Sequence, residues 1–419
     1  MVCYKRLEEN FQRLSTIGRQ DGGGITRLAF GDADWEARNV IIELMKNAGL
    51  KIRVDAFGNV IGRREGLCSE KPVVMLGSHI DSVPNGGNFD GVVGVLGAIE
   101  ALQCLEEQQE QNDHPIEVVV FMAEESSRFG VATLGSKAFC GKLSPQNLVQ
   151  YKDKDGITLG EAMQQRELAP ENIRQAQYEG DIKAFLELHI EQGKVLETTN
   201  HQIGIVTGIA APTRFKAIAT GQADHSGATP MNMRQDALTA AAEVILLVEQ
   251  LSRKVAHLGV VGTTGVIKAD PGAINVIPGR VELGIDIRAI QLASKQWVVD
   301  ELIAGIDKIK TQRSVKIEMI TLTDETPVEL LAEMVEELQD VCKQHPYPNM
   351  LMPSGAGHDA MHLASLAPTG IVFIPCQGGV SHNPAEWASM DDIVAGTEIL
   401  LTAIRKIAKL EFTWKKAKL

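Results

Sequence analysis

Basic charge is in short supply in this sequence: 41 Lys plus Arg face 54 Asp plus Glu, a formal charge of -13. That balance argues against a general binder of nucleic acid or of anionic membrane surfaces, whose phosphates call for the opposite sign. Long apolar runs are missing as well. No stretch approaches the roughly 18 uninterrupted apolar residues of a membrane-spanning helix. The N-terminal MVCYKRLEENFQRL carries mixed charge where a signal peptide has an apolar core. The six cysteines (Cys3, Cys68, Cys104, Cys140, Cys342, Cys376) show no CxxC spacing, and a chain this long does not need covalent staples. They read as reduced thiols of a cytoplasmic protein.

What is present points to a folded globular protein. Hydrophobic residues at 44% and charged residues at 23% exclude a wholly disordered or fibrous chain, and 419 residues exceed one ordinary core, so two domains are expected. Glycine is plentiful, and much of it stands beside His, Asp or Glu in short turns, where functional loops are to be sought.

Periodicity outlines the architecture. DADWEARNVIIELMKNAG (32–49) is predicted as a surface helix with Trp35, Val40, Ile41, Leu44 and Met45 as its buried stripe. PVVMLGSHID and IEVVVFMAEE are apolar strands that run into polar loops, and the small-residue stretch 91–105 between them reads as a packed helix. Such alternation predicts an α/β domain, with a mixed, mostly parallel sheet and helices on both faces. After Gly208 the texture changes to a β-α-β-β-α-β order, which fits a ferredoxin-like α+β layer. Val281, Leu283, Ile285 and Ile287 alternate there with polar residues. The expected division is 1–209 and 326–419 for the catalytic domain, with 210–325 inserted.

Three of the ten histidines share a context: His79 in GSHID, His189 in ELHIEQG and His382 in GVSHNPAEW follow or end apolar strands. Groups at such strand ends converge at one edge of an α/β sheet. Asp81, Asp90 in GGNFDG and the pair Glu124 and Glu125 add carboxylates. Imidazole and carboxylate without thiolate suit Zn²⁺, Mn²⁺ or Co²⁺, and the supply exceeds what one four-coordinate ion needs. Each motif alone is ordinary; it is their order along the chain that singles out a metal site. His114, His201, His257, His345 and His362 lack such company and read as surface or ordinary core residues. EEQQEQND and KIAKLEFTWKKAKL read as a solvated helix end and a basic tail.

The motifs GGGITRLAF, GSHIDSVPNGGNFDG, MAEESSRFG, ELHIEQGKVLE, ADHSGATPMNMRQDA, GAINVIPG, SGAGHDAM and SHNPAEW span nearly the whole chain. With them the sequence resembles the metal-dependent M20 hydrolases, and within these the hydantoinase and carbamoylase branch. That branch contains N-carbamoyl-L-amino-acid hydrolases, allantoate amidohydrolases and β-ureidopropionases. The resemblance implies that His79, Asp90 and His189 hold one divalent ion and Asp90, Glu125 and His382 a second, with Asp90 bridging. Asp81 would orient the His79 ring, and Glu124 would be the general base. It further implies that His225 stabilises an oxyanion in the partner subunit of a homodimer, through an inserted domain serving as dimerisation layer and lid. Asn275 and Arg288 would bind a ureido or amide substrate through its carboxylate, with Gln192, Gly357 and His358 as further contacts.

The activity so implied is cleavage of an N-carbamoyl-L-amino acid to the amino acid, ammonia and carbon dioxide. Allantoate hydrolysis is the near alternative. SRFGVATLGSKAF and GIAAPTRF look more like the carbamoylases, although Arg214 blurs the second comparison. Other linear amides share the same metal chemistry. A catalytically silent metal-binding relative is the reading from a different class, and the complete set of ligand-type residues speaks against it.

Overall fold

The computed structural model describes residues 1–414; the end of the basic tail, 415–419, lies outside the described residues. The chain divides into two compact units. The larger comprises Met1–Thr207, Leu330–Met352 and the chain from His358 onward.

Seven strands of the larger unit position the site: β1 Lys51–Val54, β2 Val60–Arg64, β3 Val73–His79, β4 Ile116–Phe121, β5 Ile182–Ile190, β6 Ile203–Ile209 and β7 Thr369–Ile374. They are ordered β1-β2-β4-β3-β5-β7-β6. The inner four, β4-β3-β5-β7, are parallel, whereas β1 on β2, β2 on β4 and β6 on β7 pair antiparallel. The parallel strands are apolar almost throughout because both their faces are covered: every residue of β3 and β4 is buried. Successive side chains of β5 reach opposite faces. Leu188 lies against Gly97 of helix Val92–Glu107 and Gly396 of helix Met390–Ile407. Glu187, one residue earlier, accepts the Ala360 N–H of the short helix Ala360–Leu363 at 3.2 Å.

Helix Asp32–Asn47 forms where the sequence predicts one, with a different buried stripe. Ala37, Ile41 and Met45 are buried together with Asp34 and Arg38, while Trp35, Val40 and Leu44 are only half-buried. Asp34 and Arg38 form a buried i,i+4 ion pair at 3.1 Å. Arg38 Nη2 also donates to Phe121 O at 2.9 Å at the end of β4, and Asp34 accepts the Phe30 N–H at 2.9 Å. Hydropathy assigns charged residues to the solvent face; here mutual pairing and main-chain partners satisfy them inside.

The smaller unit is Gly208–Glu329 with 353–357. Strands Ala211–Thr220, Val261–Asp270, Arg280–Ala289 and Lys316–Asp324 form an antiparallel sheet in which the fourth and third strands flank the first and the second lies outermost beside the third. Helices Ala237–Lys254 and Leu292–Arg313 complete the β-α-β-β-α-β order. Val281, Leu283, Ile285 and Ile287 pack in one cluster with Val244, Val248, Val298 and Leu302. The segment 353–357, assigned to the other part from sequence, joins this unit through long-range bonds: Ala210 N–H donates to Ser354 O at 2.9 Å and Arg288 Nη1 to Gly355 O at 3.1 Å.

Candidate metal centre

The parallel strands deliver their polar residues to one edge of the sheet. His79 ends β3, Glu124 and Glu125 follow β4, His189 is the penultimate residue of β5, and His382 lies in the loop after β7. Asp90 precedes helix Val92–Glu107. Between them Gly91 has φ +68°, and a Cβ there would stand 2.5 Å from the His79 ring, so only glycine fits that turn.

Asp90 is the hub. Its Oδ1 lies 3.1 Å from His189 Nε2 and 3.9 Å from His79 Nε2, and its Oδ2 lies 3.0 Å from His382 Nε2. Glu125 Oε1 is 3.2 Å from the same His382 nitrogen. Two rings are oriented by main-chain carbonyls: His79 Nδ1 bonds Asp81 O at 3.0 Å and His189 Nδ1 bonds Ile190 O at 2.9 Å. Each therefore donates through Nδ1–H and turns Nε2, the nitrogen a metal ion would take in place of a proton, toward Asp90. In each of the sets His79, Asp90, His189 and Asp90, Glu125, His382 the ligand atoms lie within 4.8 Å of one another. Such donors and spacing fit a divalent cation with bonds of about 2.1 Å.

Glu124 is buried and faces the His79 side of the cluster, its Oε2 3.7 Å from His79 Nε2, whereas Glu125 faces His382. Burial first, then the charges of Glu125, Asp359, Asp81 and Asp90, push its carboxyl well above the usual carboxylate range. Burial also disfavours a charge on Asp90, yet hydrogen bonds with His189 and His382 hold it well below that range. The bonds of Asp90 and Glu125 raise His382 to about 10. Carboxylates here call for positive charge, which protons or a divalent cation can supply.

Asp81 meets the His79 ring through its main chain. Its main-chain oxygen orients the ring, while its carboxylate is 3.6 Å from Nδ1, too far for a hydrogen bond. That carboxylate instead accepts the N–H groups of Glu124 at 3.2 Å and Glu125 at 3.0 Å, bracing the turn that splits the two glutamates apart. Gln192 is part of the cluster, its Nε2 3.0 Å from Asp90 Oδ2, and its buried Oε1 has no hydrogen-bond partner among the described residues. His358 is buried with its ring edge against His189, centroids 4.6 Å apart. Glu187, His189 and His358 also cluster, but the Glu187 oxygens are taken by Ser78 Oγ at 2.7 Å and Ala360 N, so this group reads as support. Motif reasoning passes over Glu386, although it lies in SHNPAEW, four residues after His382.

His225, Asn275, Arg288 and Gly357 belong to the smaller unit. His225 is exposed, and its Nδ1 accepts the N–H groups of Gly227 at 3.0 Å and Ala228 at 3.2 Å, which leaves Nε2–H as a donor. Asn275 lies beside it, since its carbonyl accepts the Ser226 N–H at 3.1 Å. Arg288 is held in plane by Asp286, at 3.0 Å through Nε and 3.1 Å through Nη2. Arg214 bonds the same Asp286 at 3.0 Å. The two arginines line a cavity of about 560 Å³ with Val261, Val266 and Leu322.

Fold and site define a class, a hydrolase with an imidazole and carboxylate pocket at the ends of parallel strands. The chain belongs to peptidase family M20/M25/M40, whose family model matches residues 75–406. It is 41% identical over 98% of its length to the N-carbamoyl-L-amino acid amidohydrolase of Geobacillus stearothermophilus, covering 100% of that protein. It is 34% identical to the allantoate amidohydrolase of Escherichia coli, over 99% and 100% of the two chains. The crystal structure of a hydantoinase/carbamoylase family amidase from Burkholderia multivorans superposes with a TM-score of 0.90, at 36% identity over 97% and 98% of the chains. The protein is accordingly an amidohydrolase acting on C–N bonds of linear amides.

Proposed function

We propose that this amidohydrolase cleaves N-carbamoyl-L-amino acids with two divalent ions, Zn²⁺, Mn²⁺ or Co²⁺, one of which would be held by His79, Asp90 and His189 and the other by Asp90, Glu125 and His382. The observation that carries the reading is the division of the Asp90 carboxylate, one oxygen toward His79 and His189 and the other toward His382. When bound, the ions would polarise the carbamoyl carbonyl and acidify a water. Glu124, held near His79 and separate from the ligand sets, takes the proton of the attacking water and returns it to the leaving nitrogen. His225 offers Nε2–H to the oxygen that gains charge. Arg288, fixed by Asp286, receives the α-carboxylate, with Asn275, Gln192, Gly357 and His358 as further substrate contacts. The carbamoyl group leaves as ammonia and carbon dioxide.

A homodimer is part of this reading. The outermost strand Val261–Asp270 exposes Val261, Val266 and Ile267 along an unpaired edge, the kind of surface a second copy covers. All six cysteines are free thiols, which suits the cytoplasm. Allantoate, which carries a second ureido group beside its one carboxylate, is the second reading, since Arg214 beside Arg288 on Asp286 adds N–H donors to the cavity that such a group can use.

The test is ammonia release from N-carbamoyl-L-methionine and from allantoate by chelator-stripped protein, with and without added Mn²⁺, Co²⁺ or Zn²⁺. Metal-dependent release from the first substrate alone is expected. Release mainly from allantoate selects the second reading, and no release from either with any metal sinks both.

A further inference from the structure

Asp90 and His382 are carried by different loops, and neither loop is a regular element that sets their separation by itself. Glu386 joins the two. It is 5% exposed. Its Oε1 accepts the main-chain N–H groups of Phe89 at 2.9 Å and of Asp90 at 3.0 Å. Its Oε2 accepts the Ser381 hydroxyl at 2.9 Å, from the residue next to His382. The approach is close enough to dictate sequence, because a Cβ on Gly87 would stand 2.1 Å from Glu386 Oε1. Three donors converging on one buried carboxylate make a tie that a neutral side chain reproduces only in part.

We propose that Glu386 is a positioning residue for the metal centre. One carboxylate holds the main chain that carries Asp90 and, through Ser381, the loop that carries His382, and so sets the distance between these two ligands. The proposal rests on the reading of Asp90 as the bridge.

The two ligand sets depend on this tie unequally. His79 and His189 are buried strand residues, placed by the sheet whatever happens to the loop. The His382 side chain is 49% exposed and its backbone has φ +55°, a left-handed conformation that a non-glycine residue keeps only when its surroundings impose it. Loss of the clamp therefore weakens the set Asp90, Glu125, His382 first.

Chelator-stripped wild type, Glu386→Ala, Glu386→Gln and Ser381→Ala are dialysed against graded Mn²⁺ or Co²⁺, and metal per chain is measured beside the melting temperature of the metal-free proteins. Wild type is expected to take up two ions, and Glu386→Ala to keep the first while binding the second about ten-fold or more weakly. Glu386→Gln retains an oxygen for Phe89 and Asp90 and should fall between them, and Ser381→Ala should weaken only the second ion. If Glu386→Ala does not fold, the other two variants decide. A variant set that melts lower yet binds both ions like wild type overturns the proposal, since that is the signature of a residue needed for folding alone. Wild type that binds fewer than two ions overturns the bridging reading itself, and the proposal with it.

Discussion

Asp90 Oδ2 lies 3.0 Å from His382 Nε2, so a carboxylate from the turn that starts one helix meets an imidazole from the loop after the last parallel strand. The other oxygen of the same carboxylate faces His189. No single segment contains this centre. It exists only where β3, β4, β5 and β7 end side by side, and the nearby carbonyls of Asp81 and Ile190 orient two of its rings.

Glu124→Gln is expected to retain metal uptake and lose turnover by about 10²- to 10⁴-fold, the usual range for removal of a general acid or base. Glu124 is absent from both ligand sets, so the ions have no reason to leave. Metal analysis and kcat on the same preparation check this; a Gln variant with wild-type kcat would remove Glu124 from the mechanism.

Arg288→Lys should raise KM more than it lowers kcat. Arg288 uses three N–H groups on Asp286 and Gly355 O and has others left for a carboxylate. A lysine ammonium has three donors in all and cannot present a planar pair. Steady-state kinetics on the carbamoyl substrate decide, and an unchanged KM would place the carboxylate elsewhere.

Stability should decline on acidification in part through His362. Burial, then Lys137 and Lys142, push its imidazole down to about 3, and its Nε2 lies 2.9 Å from Thr133 Oγ1. An unfolded histidine titrates near 6.5, so between about 6.5 and 3 the unfolded chain binds the extra proton. The contribution of neutral His362 is complete above pH 6.5 and is lost as pH falls toward 3, by at most about 1.4 kcal/mol per pH unit. Melting temperatures of wild type and His362→Asn between pH 7 and 4 should converge as pH falls. A constant difference would show that His362 does not titrate in this way.

Arg38→Ala leaves the Asp34 carboxylate buried without its partner and removes donors from Phe121 O and Gly58 O. The expected loss is about 3–5 kcal/mol. Urea unfolding followed on the larger unit should show the midpoint fall accordingly, and an unmoved midpoint would mean that water reaches Asp34 in the variant.

Much of the site is legible in the primary structure because its residues sit in short motifs at strand ends: HxD after PVVMLGS, GGNFDG before a helix, EE after IEVVVFMA. Hydropathy locates the strand, and the polar residue after it is the one that reaches the edge. The same reasoning misplaces the stripe of helix Asp32–Asn47, because it cannot foresee that Asp34 and Arg38 neutralise each other indoors. It names Asp81 as the residue that orients His79 but not the atom, which is the main-chain oxygen. It passes over Glu386, whose partners Phe89 and Asp90 are distant in sequence and are main-chain groups with no side-chain signature.

The order of strands and helices, the ligand-type residues and the family belong to the sequence by itself, since apolar periodicity and short motifs are local properties of the chain. Tertiary structure alone decided that Asp90 divides its two oxygens between opposite histidines, that adjacent glutamates face different ways, and that Glu386 ties the loops together. These are relationships between main-chain donors, carbonyls and side chains brought together by the register of parallel strands. Hydrogen-bond geometry of that kind arises only once the sheet has packed.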